Sequence, residues 1–313
     1  MTIAITMRFA YLEALRPRQW TKNLVVFAAP LFAFSINLNS LLGSLLAFSL
    51  FAAASSSFYL INDIADVEAD RRHPVKCNRP IEAGKVSIPA AIAIAAILLS
   101  GSLIIGFLRS LWLGATILAY ALLQVAYNLR LKRTPILDVI AIASGFVLRA
   151  AAGAAATSIY LSPWFLLCTA MLALFLAVEK RKAELRLIAI KGGKTRTVLK
   201  RYSLPLLARM ESVITTGTIM TYALWSSGPA VSGASTSWML VTLPFVLYGV
   251  FRYQLLSDPQ EIERRSNSEH EAGGVTERPE EVLLKDKPIL LTVLCWLLTV
   301  FTILALKEQN IIK

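Results

Sequence analysis

The run Asn62-Asp63-Ile64-Ala65-Asp66-Val67-Glu68-Ala69-Asp70 follows directly on an apolar stretch, 41–61, that is long enough to cross a bilayer. Asp63 and Asp66 are three residues apart, Asp66 and Asp70 four, and Asp63 and Asp70 seven. Those spacings put three carboxylates on one stripe of a helix that continues out of the span, with Asn62 beside them. A helix, a membrane and acids at the membrane's edge are thus given together.

Hydropathy extends that pattern along the chain. Of 313 residues 56% are hydrophobic, and the mean hydropathy is +0.60. Apolar runs of spanning length lie near 23–38, 41–61, 88–107, 111–128, 135–155, 161–178, 211–227, 236–253 and 288–306. Each approaches the ~20 residues that cross the hydrocarbon core, so the sequence predicts an all-α, polytopic membrane protein with about nine transmembrane helices.

Lysine and arginine set the orientation. With the N-terminus inside, 28 of the 32 basic residues fall on the cytoplasmic side, and Arg109, Arg149, Lys307 and Lys313 are the exceptions. The positive-inside rule favours this topology over its inverse. It makes 1–313 a single integral-membrane domain in the inner (plasma) membrane, with cytoplasmic loops 62–87, 129–134, 179–210 and 254–287. The net charge of +12 therefore belongs to one face, where it meets anionic headgroups or anionic substrates rather than nucleic acid.

Other residue types add little chemistry. Cys77, Cys168 and Cys295 are scattered without a CxxC pair, which argues against a disulfide framework or a zinc site. His73 follows the acidic run and reads as a phosphate contact or as a solvated loop histidine. Arg8 and Glu13 interrupt the first stretch, so the first twenty residues read as an interfacial amphipathic helix and not as a cleavable signal. Trp112, Trp164, Trp225 and Trp238 fall near outer helix ends and read as interfacial anchors, whereas Trp296, in mid-span, reads as packing.

The acids suit Mg²⁺, which keeps several waters and is bridged by one or two carboxylates to substrate phosphates. The competing reading is a solvated juxtamembrane helix in which Glu68 and Arg71 make surface pairs. The loop that follows, Arg71 to Lys85, is basic. Arg79 suits bidentate contact with phosphate oxygens and Lys76 suits a point contact. Taken alone those cations are equally well explained by topology, and adjacency to the acids favours the phosphate reading.

Arg16-Pro17-x-Gln19-Trp20-x-Lys22-Asn23, the NDxxDxxxD pattern of 62–70, Arg79-Pro80-Ile81 and Ala83-Gly84 together resemble the UbiA superfamily of intramembrane prenyltransferases. The similarity runs on through Tyr127-Asn128-Leu129-Arg130-Leu131-Lys132, Leu137-Asp138-Val139, Gly145 to Ala150, Ser162 to Phe165 and Lys180 to Leu185. Within the superfamily it points to the branch that transfers phosphoribosyl groups to polyprenyl (decaprenyl-type) phosphates.

That the helices surround a central cavity is implied only by the resemblance. It also implies an Mg²⁺-dependent transfer of 5-phosphoribosyl from phosphoribosyl diphosphate to a polyprenyl phosphate, with release of diphosphate, for cell-envelope glycan precursors. Asn62, Asp63, Asp66 and Asp70 are then the metal ligands. Asp63, Asp66, Lys22 and Arg79 carry catalysis, and Lys22, Lys76, Arg79, Tyr127, Arg130, Lys132, Arg149, Lys180, Arg181 and Glu184 meet substrate. Where aromatic prenyltransferases have a second Asp-rich motif, this chain has Glu179-Lys180-Arg181-Lys182-Ala183-Glu184, read as cations for two anionic reactants. The alternative is a prenyl transfer from its diphosphate to an aromatic acceptor; a transporter is the more distant rival.

Two charges stand apart. Arg149 lies fourteen residues beyond Pro135, roughly 21 Å along a helix, and needs a partner or a cavity at that depth. Substrate contact and a structural pair are equally open for it. Asp138 reads as a partner for Lys132 or Arg181, and Glu184 as an i,i+3 partner that orients Arg181. Homo-oligomerisation is left open by the sequence.

Overall fold

A computed structural model describes residues 9–72, 76–191, 198–269, 282 and 285–312. A 3₁₀ helix, Pro17–Phe27, leads into α1 (Ala28–Phe32). There follow α2 (Leu38–Arg71), α3 (Ile88–Arg109), α4 (Leu111–Leu129), α5 (Leu137–Thr157), α6 (Pro163–Lys191), α7 (Leu204–Ser226), α8 (Leu243–Leu256), α9 (Pro259–Glu269) and α10 (Lys287–Glu308). Among the described residues no strand occurs. The chain divides into two compact units, one comprising Met1–Ala28, Asn37–Asn128 and Leu148–Ile159, the other Ala29–Ile36, Leu129–Val147 and Tyr160–Lys313.

Helix boundaries follow from local chemistry. Asn37, Ser87, Ser203 and Asp286 each accept a hydrogen bond from the backbone N–H three residues on, capping α2, α3, α7 and α10. Proline stands in the first turn of α3, α7 and α10, where its missing N–H costs nothing.

Nine apolar stretches were expected, and each overlaps helix. Among the described residues seven helices are long and apolar enough to cross a membrane: α2 to α5, α6 over Pro163–Ile188, the stretch Ser237–Leu256 that ends in α8, and α10. The chain is thus a multi-span membrane protein. The first expected stretch falls short because its helix, 11 residues of 3₁₀ followed by 5 of α1, is too short to span, and the seventh because Glu211, Thr215, Thr218 and Thr221 are built into α7.

In the first unit α2 packs along α3 and against the 3₁₀ helix. With 34 residues α2 is about 51 Å long, against ~30 Å of hydrocarbon, so the part carrying Asn62 to Asp70 extends past a membrane of ordinary thickness. Its run Ala52 to Ser57 presents no large side chain and lets neighbours approach. The Ser56 hydroxyl accepts from Trp20 Nε1 at 3.0 Å and donates to the Leu15 carbonyl at 2.9 Å. Gly153 of α5 lies so close to the 3₁₀ helix that an added Cβ would stand 2.0 Å from the Val26 carbonyl oxygen. Of the first twenty residues, 9–14 are helical, with Ala10 and Ala14 buried against Leu60, Ile81 and Val86, and Pro17 to Trp20 open the 3₁₀ helix.

In the second unit α6 packs along α7, and α8 along α10. Trp225, expected at the interface, is instead buried: its ring meets Phe32 at 4.9 Å, Tyr222 at 5.4 Å and Phe165 at 5.8 Å. Aromatic contact inside the unit outweighs the interfacial preference of the indole. Trp112 and Trp238 are exposed, as anchors require, and Trp296 donates from Nε1 to the Tyr222 hydroxyl at 2.8 Å. No disulfide joins Cys77, Cys168 or Cys295.

Candidate active site

The acidic run is helical throughout, and helix geometry sorts its carboxylates. At about 100° per residue, Asp70 returns to within about 20° of Asp63 after two turns, while Asp66 stands about 60° away. Asp63 and Asp70 are accordingly both buried and share a cation, whereas Asn62 and Asp66 are half-buried. Arg79 Nη1 donates to Asp63 Oδ1 at 3.0 Å and to Asp70 Oδ2 at 2.8 Å. Lys76 Nζ donates to Asp70 Oδ1 at 2.7 Å, and Arg16 Nη2 to Asp63 Oδ1 at 2.5 Å.

The loop between α2 and α3 places Arg79 and a further acid. Ile81 and Val86 are buried with Leu60, Ala91 and Ala95, pinning the loop to the helix pair. Hydrogen bonds from Ala83 N to Arg79 O (2.8 Å), Gly84 N to Ile81 O (3.1 Å) and Val86 N to Pro80 O (3.0 Å) fold it into a tight turn. Gly84 sits at φ +72°, a conformation that favours glycine. Arg71 Nε donates to the Glu82 carbonyl at 3.3 Å. Glu82 is thereby turned toward the acids, and one carboxylate oxygen from each of Asp63, Asp70 and Glu82 lies within 4.8 Å of the others.

Glu82 was not among the metal ligands expected from the sequence, because it stands outside the NDxxDxxxD spacing. Both of its oxygens are buried and have no hydrogen-bond partner among the described residues. Burial pushes its carboxyl above the ordinary carboxylate value; its own backbone N–H lowers it, Asp63 raises it, Arg79 lowers it and Asp70 raises it. Arg16 was also missed as a site residue, although it opens the Arg16-Pro17 motif. It adopts φ +54° ahead of proline and lies over the Tyr59 ring at 5.0 Å. His73 lies outside the described residues.

The remaining expected residues are distributed as follows. Lys22 Nζ donates to Gln19 Oε1 at 2.5 Å. Tyr127, half-buried, closes α4; Arg130 is exposed and Lys132 half-buried around the turn Leu131–Arg133. Arg149 is buried, with Nε donating to Asn23 Oδ1 at 2.7 Å, Nη2 donating to the Tyr120 hydroxyl at 3.1 Å, and the guanidinium lying over the Tyr120 ring. Of its two readings, the geometry supplies the protein partners that a structural pair needs.

The run Lys180 to Lys182 requires a correction. It was read as cations set out for anionic reactants, but Arg181 and Lys182 are buried among acids. Arg181 Nε donates to Asp138 Oδ2 at 2.8 Å and its Nη1 to Glu184 Oε2 at 2.7 Å. Lys182 Nζ donates to Glu179 Oε1 at 2.8 Å and also pairs with Glu211. The cause is helix register, which turns both side chains inward to carboxylates from α5, α6 and α7. Lys180 is half-buried. Tyr202, not anticipated, donates to Asp138 Oδ1 at 2.7 Å and accepts from the Ile136 N–H at 2.6 Å. Burial, more than its neighbours, pushes its phenol up to about 12, so it stays a donor at any working pH.

A membrane-embedded helix that ends in paired acids beside a basic loop is the arrangement a diphosphate-handling family requires, and a family model described as the UbiA prenyltransferase family matches residues 23–268. The chain belongs to that family. Among UbiA relatives, the decaprenyl-phosphate phosphoribosyltransferase of Mycolicibacterium smegmatis is 37% identical over 302 residues, covering 92% of this chain and 90% of that protein. The protein of the same name from Corynebacterium glutamicum is 37% identical over 294 residues, covering 91% and 83%. A solved UbiA homolog from Archaeoglobus fulgidus, bound to GPP and Mg²⁺, superimposes with a TM-score of 0.67 at 20% identity, over 95% of this chain and 99% of that one. That likeness shows the UbiA fold.

Proposed function

We propose that this UbiA-family protein transfers 5-phosphoribosyl from phosphoribosyl diphosphate to a polyprenyl phosphate of decaprenyl type, releasing diphosphate, with its site on the cytoplasmic face of the plasma membrane. The observation that carries the chemistry is the meeting of three buried carboxylates, Asp63, Asp70 and Glu82, with three cationic side chains, Arg16, Lys76 and Arg79. The donor and acceptor are assigned from the near full-length similarity to relatives of that name.

The acids fit a divalent cation. Their oxygens are close enough to share one ion, they are hard ligands, and the Glu82 oxygens have no other partner among the described residues. Asp63 and Asp70, with Asp66 and Asn62 on the same helix, would hold Mg²⁺. Bound there, the ion would offset charge that builds on a departing diphosphate.

The chain's own side chains do the rest. Arg79, which now bridges two carboxylates, has the fork geometry to pass to phosphate oxygens, and Lys76 and Arg16 offer point contacts from half-exposed positions. Lys22 is assigned to a phosphate contact as well, and Arg130 and Lys132 are assigned to phosphate contacts on the family resemblance alone. The acceptor phosphate is already anionic at neutral pH, so no strong base is called for. Its oxygen forms a bond to the anomeric carbon as the bond from that carbon to the diphosphate oxygen breaks, and attack from the opposite face inverts the configuration. No covalent enzyme intermediate is needed.

The deciding assay combines the purified chain with Mg²⁺, labelled phosphoribosyl diphosphate and decaprenyl phosphate. A labelled lipid is the expected product. Absence of that product, together with prenyl transfer from a prenyl diphosphate to an aromatic acid, would replace this reading by the alternative.

A further inference from the structure

We propose that Glu82 is a metal ligand which completes a three-carboxylate set with Asp63 and Asp70, and that this set holds a divalent cation on the protein alone, before any diphosphate arrives. The inference rests on the reading of the acidic cluster as a metal site and adds to it a residue that the NDxxDxxxD motif does not contain.

Three observations point to Glu82. The first is that it is only 6% exposed, yet neither carboxylate oxygen has a hydrogen-bond partner among the described residues. Its neighbours differ. Asp63 accepts from Arg16 and Arg79, and Asp70 from Lys76 and Arg79, whereas among the described residues no donor is hydrogen-bonded to the Glu82 carboxylate. A buried carboxylate without a partner is among the least favourable arrangements a loop can hold, and a cation removes the penalty.

The second is that the backbone gives the side chain no easy way out. The flanking Ile81 is inserted into the packing between α2 and α3, the Glu82 carbonyl is held by Arg71, and Ala83 and Gly84 are tied back to Arg79 and Ile81. Turning Glu82 to solvent would require the turn to open. The third is distance: one oxygen from each of the three acids lies within 4.8 Å of the others, a spread that small rotations about χ1 and χ2 close to the span of one coordination sphere.

Three ligands from two elements also do what the motif alone does not. Asp63 and Asp70 both come from α2 and approach an ion from one side; Glu82 comes from the loop and supplies a second direction. Mg²⁺ bound through one or two carboxylates ordinarily leans on substrate phosphates for the rest of its sphere. A third carboxylate lessens that dependence, which is why the cation is expected to bind in the absence of donor.

The test uses the full chain in detergent, stripped of metal and titrated with Mn²⁺ alone, the loss of the free-ion signal being followed by electron paramagnetic resonance. Wild type is expected to bind one ion per chain. Glu82→Gln is expected to weaken binding at least about tenfold, to lose the rise in Tm that metal gives wild type, and to show a metal-free Tm no lower than wild type, because it removes an unpartnered charge. Equal Mn²⁺ affinity in wild type and Glu82→Gln would overturn the assignment. A wild type that binds no Mn²⁺ while lipid product still needs Mg²⁺ overturns it too, but leaves the metal reading of the site standing. A wild type that binds none and turns over without metal removes both. Should Glu82→Gln fail to fold, Glu82→Asp, which keeps the charge and withdraws it by one methylene, is expected to show a weakened affinity, and an unchanged affinity overturns the proposal in the same way.

Discussion

Two charged clusters in this molecule are built from the same residue types and have opposite character. In the first unit, buried Asp63, Asp70 and Glu82 face Arg16, Lys76 and Arg79, whose side chains are 27%, 35% and 28% exposed. Among the described residues one acid, Glu82, has no hydrogen-bond partner, and the cations approach from the solvent side. In the second unit, Arg181 and Asp138 are 1% and 0% exposed, and Tyr202 and Glu184 occupy the remaining directions. The first cluster is incomplete and reachable; the second is closed. Buried ion pairs of the closed kind fix geometry, and removing one partner leaves a stranded charge. The half-open kind is where reactive chemistry finds room.

The contrast can be broken most severely by Asp63→Asn and Asp66→Asn. Each is expected to lower lipid product formation by a factor on the order of 10² or more while folded protein remains, as judged by size-exclusion profile and Tm. Near-normal turnover in both would put the chemistry elsewhere. The matching change in the closed cluster is Arg181→Met, which strands Asp138. A loss of about 3–5 kcal/mol is expected in reversible denaturation of the detergent-held protein. Were the variant fully stable but unable to bind donor, the second cluster would have to be counted as a substrate site.

Smaller changes sharpen the same line. Arg79→Lys keeps one charge but cannot bridge two carboxylates or fork to a phosphate, and KM for phosphoribosyl diphosphate is expected to rise by about tenfold. Arg149→Met removes hydrogen bonds to Asn23 and Tyr120 and is expected to cost about 1–3 kcal/mol, with KM unaltered. A raised KM at unchanged Tm would instead place Arg149 against a reactant.

Much of this was legible in the chain. Hydropathy is a global signal, and helix α2 carries its acids at a spacing that needs no tertiary information. The Arg181 to Glu184 pair, three residues apart on one helix, was equally accessible. What was hidden depends on direction. Nothing in a basic run says that Arg181 and Lys182 turn inward, since such a run at the end of a span usually faces water. Glu82 was hidden because a loop residue twelve positions beyond Asp70 has no fixed angular relation to the helix. Its role emerges once Ile81 and Val86 are seen to anchor the turn. The burial of Trp225 depends on Phe32 and Phe165, which are distant in sequence, so no local pattern reveals it.

The docking of Val26 against Gly153, and of Asn23 against Arg149, has a consequence in time. The second pair is separated by 126 positions. At about 5–20 residues per second of synthesis, the N-terminal segment must wait roughly 6 to 25 s for its partner helix to be made. Through that interval the 3₁₀ stretch, which is not among the helices apolar enough to cross a membrane on their own, has no helix to lie against at these two positions. Maturation of the first unit is therefore gated by arrival of α5, so a segment made before its partner helix is among the later ones to settle.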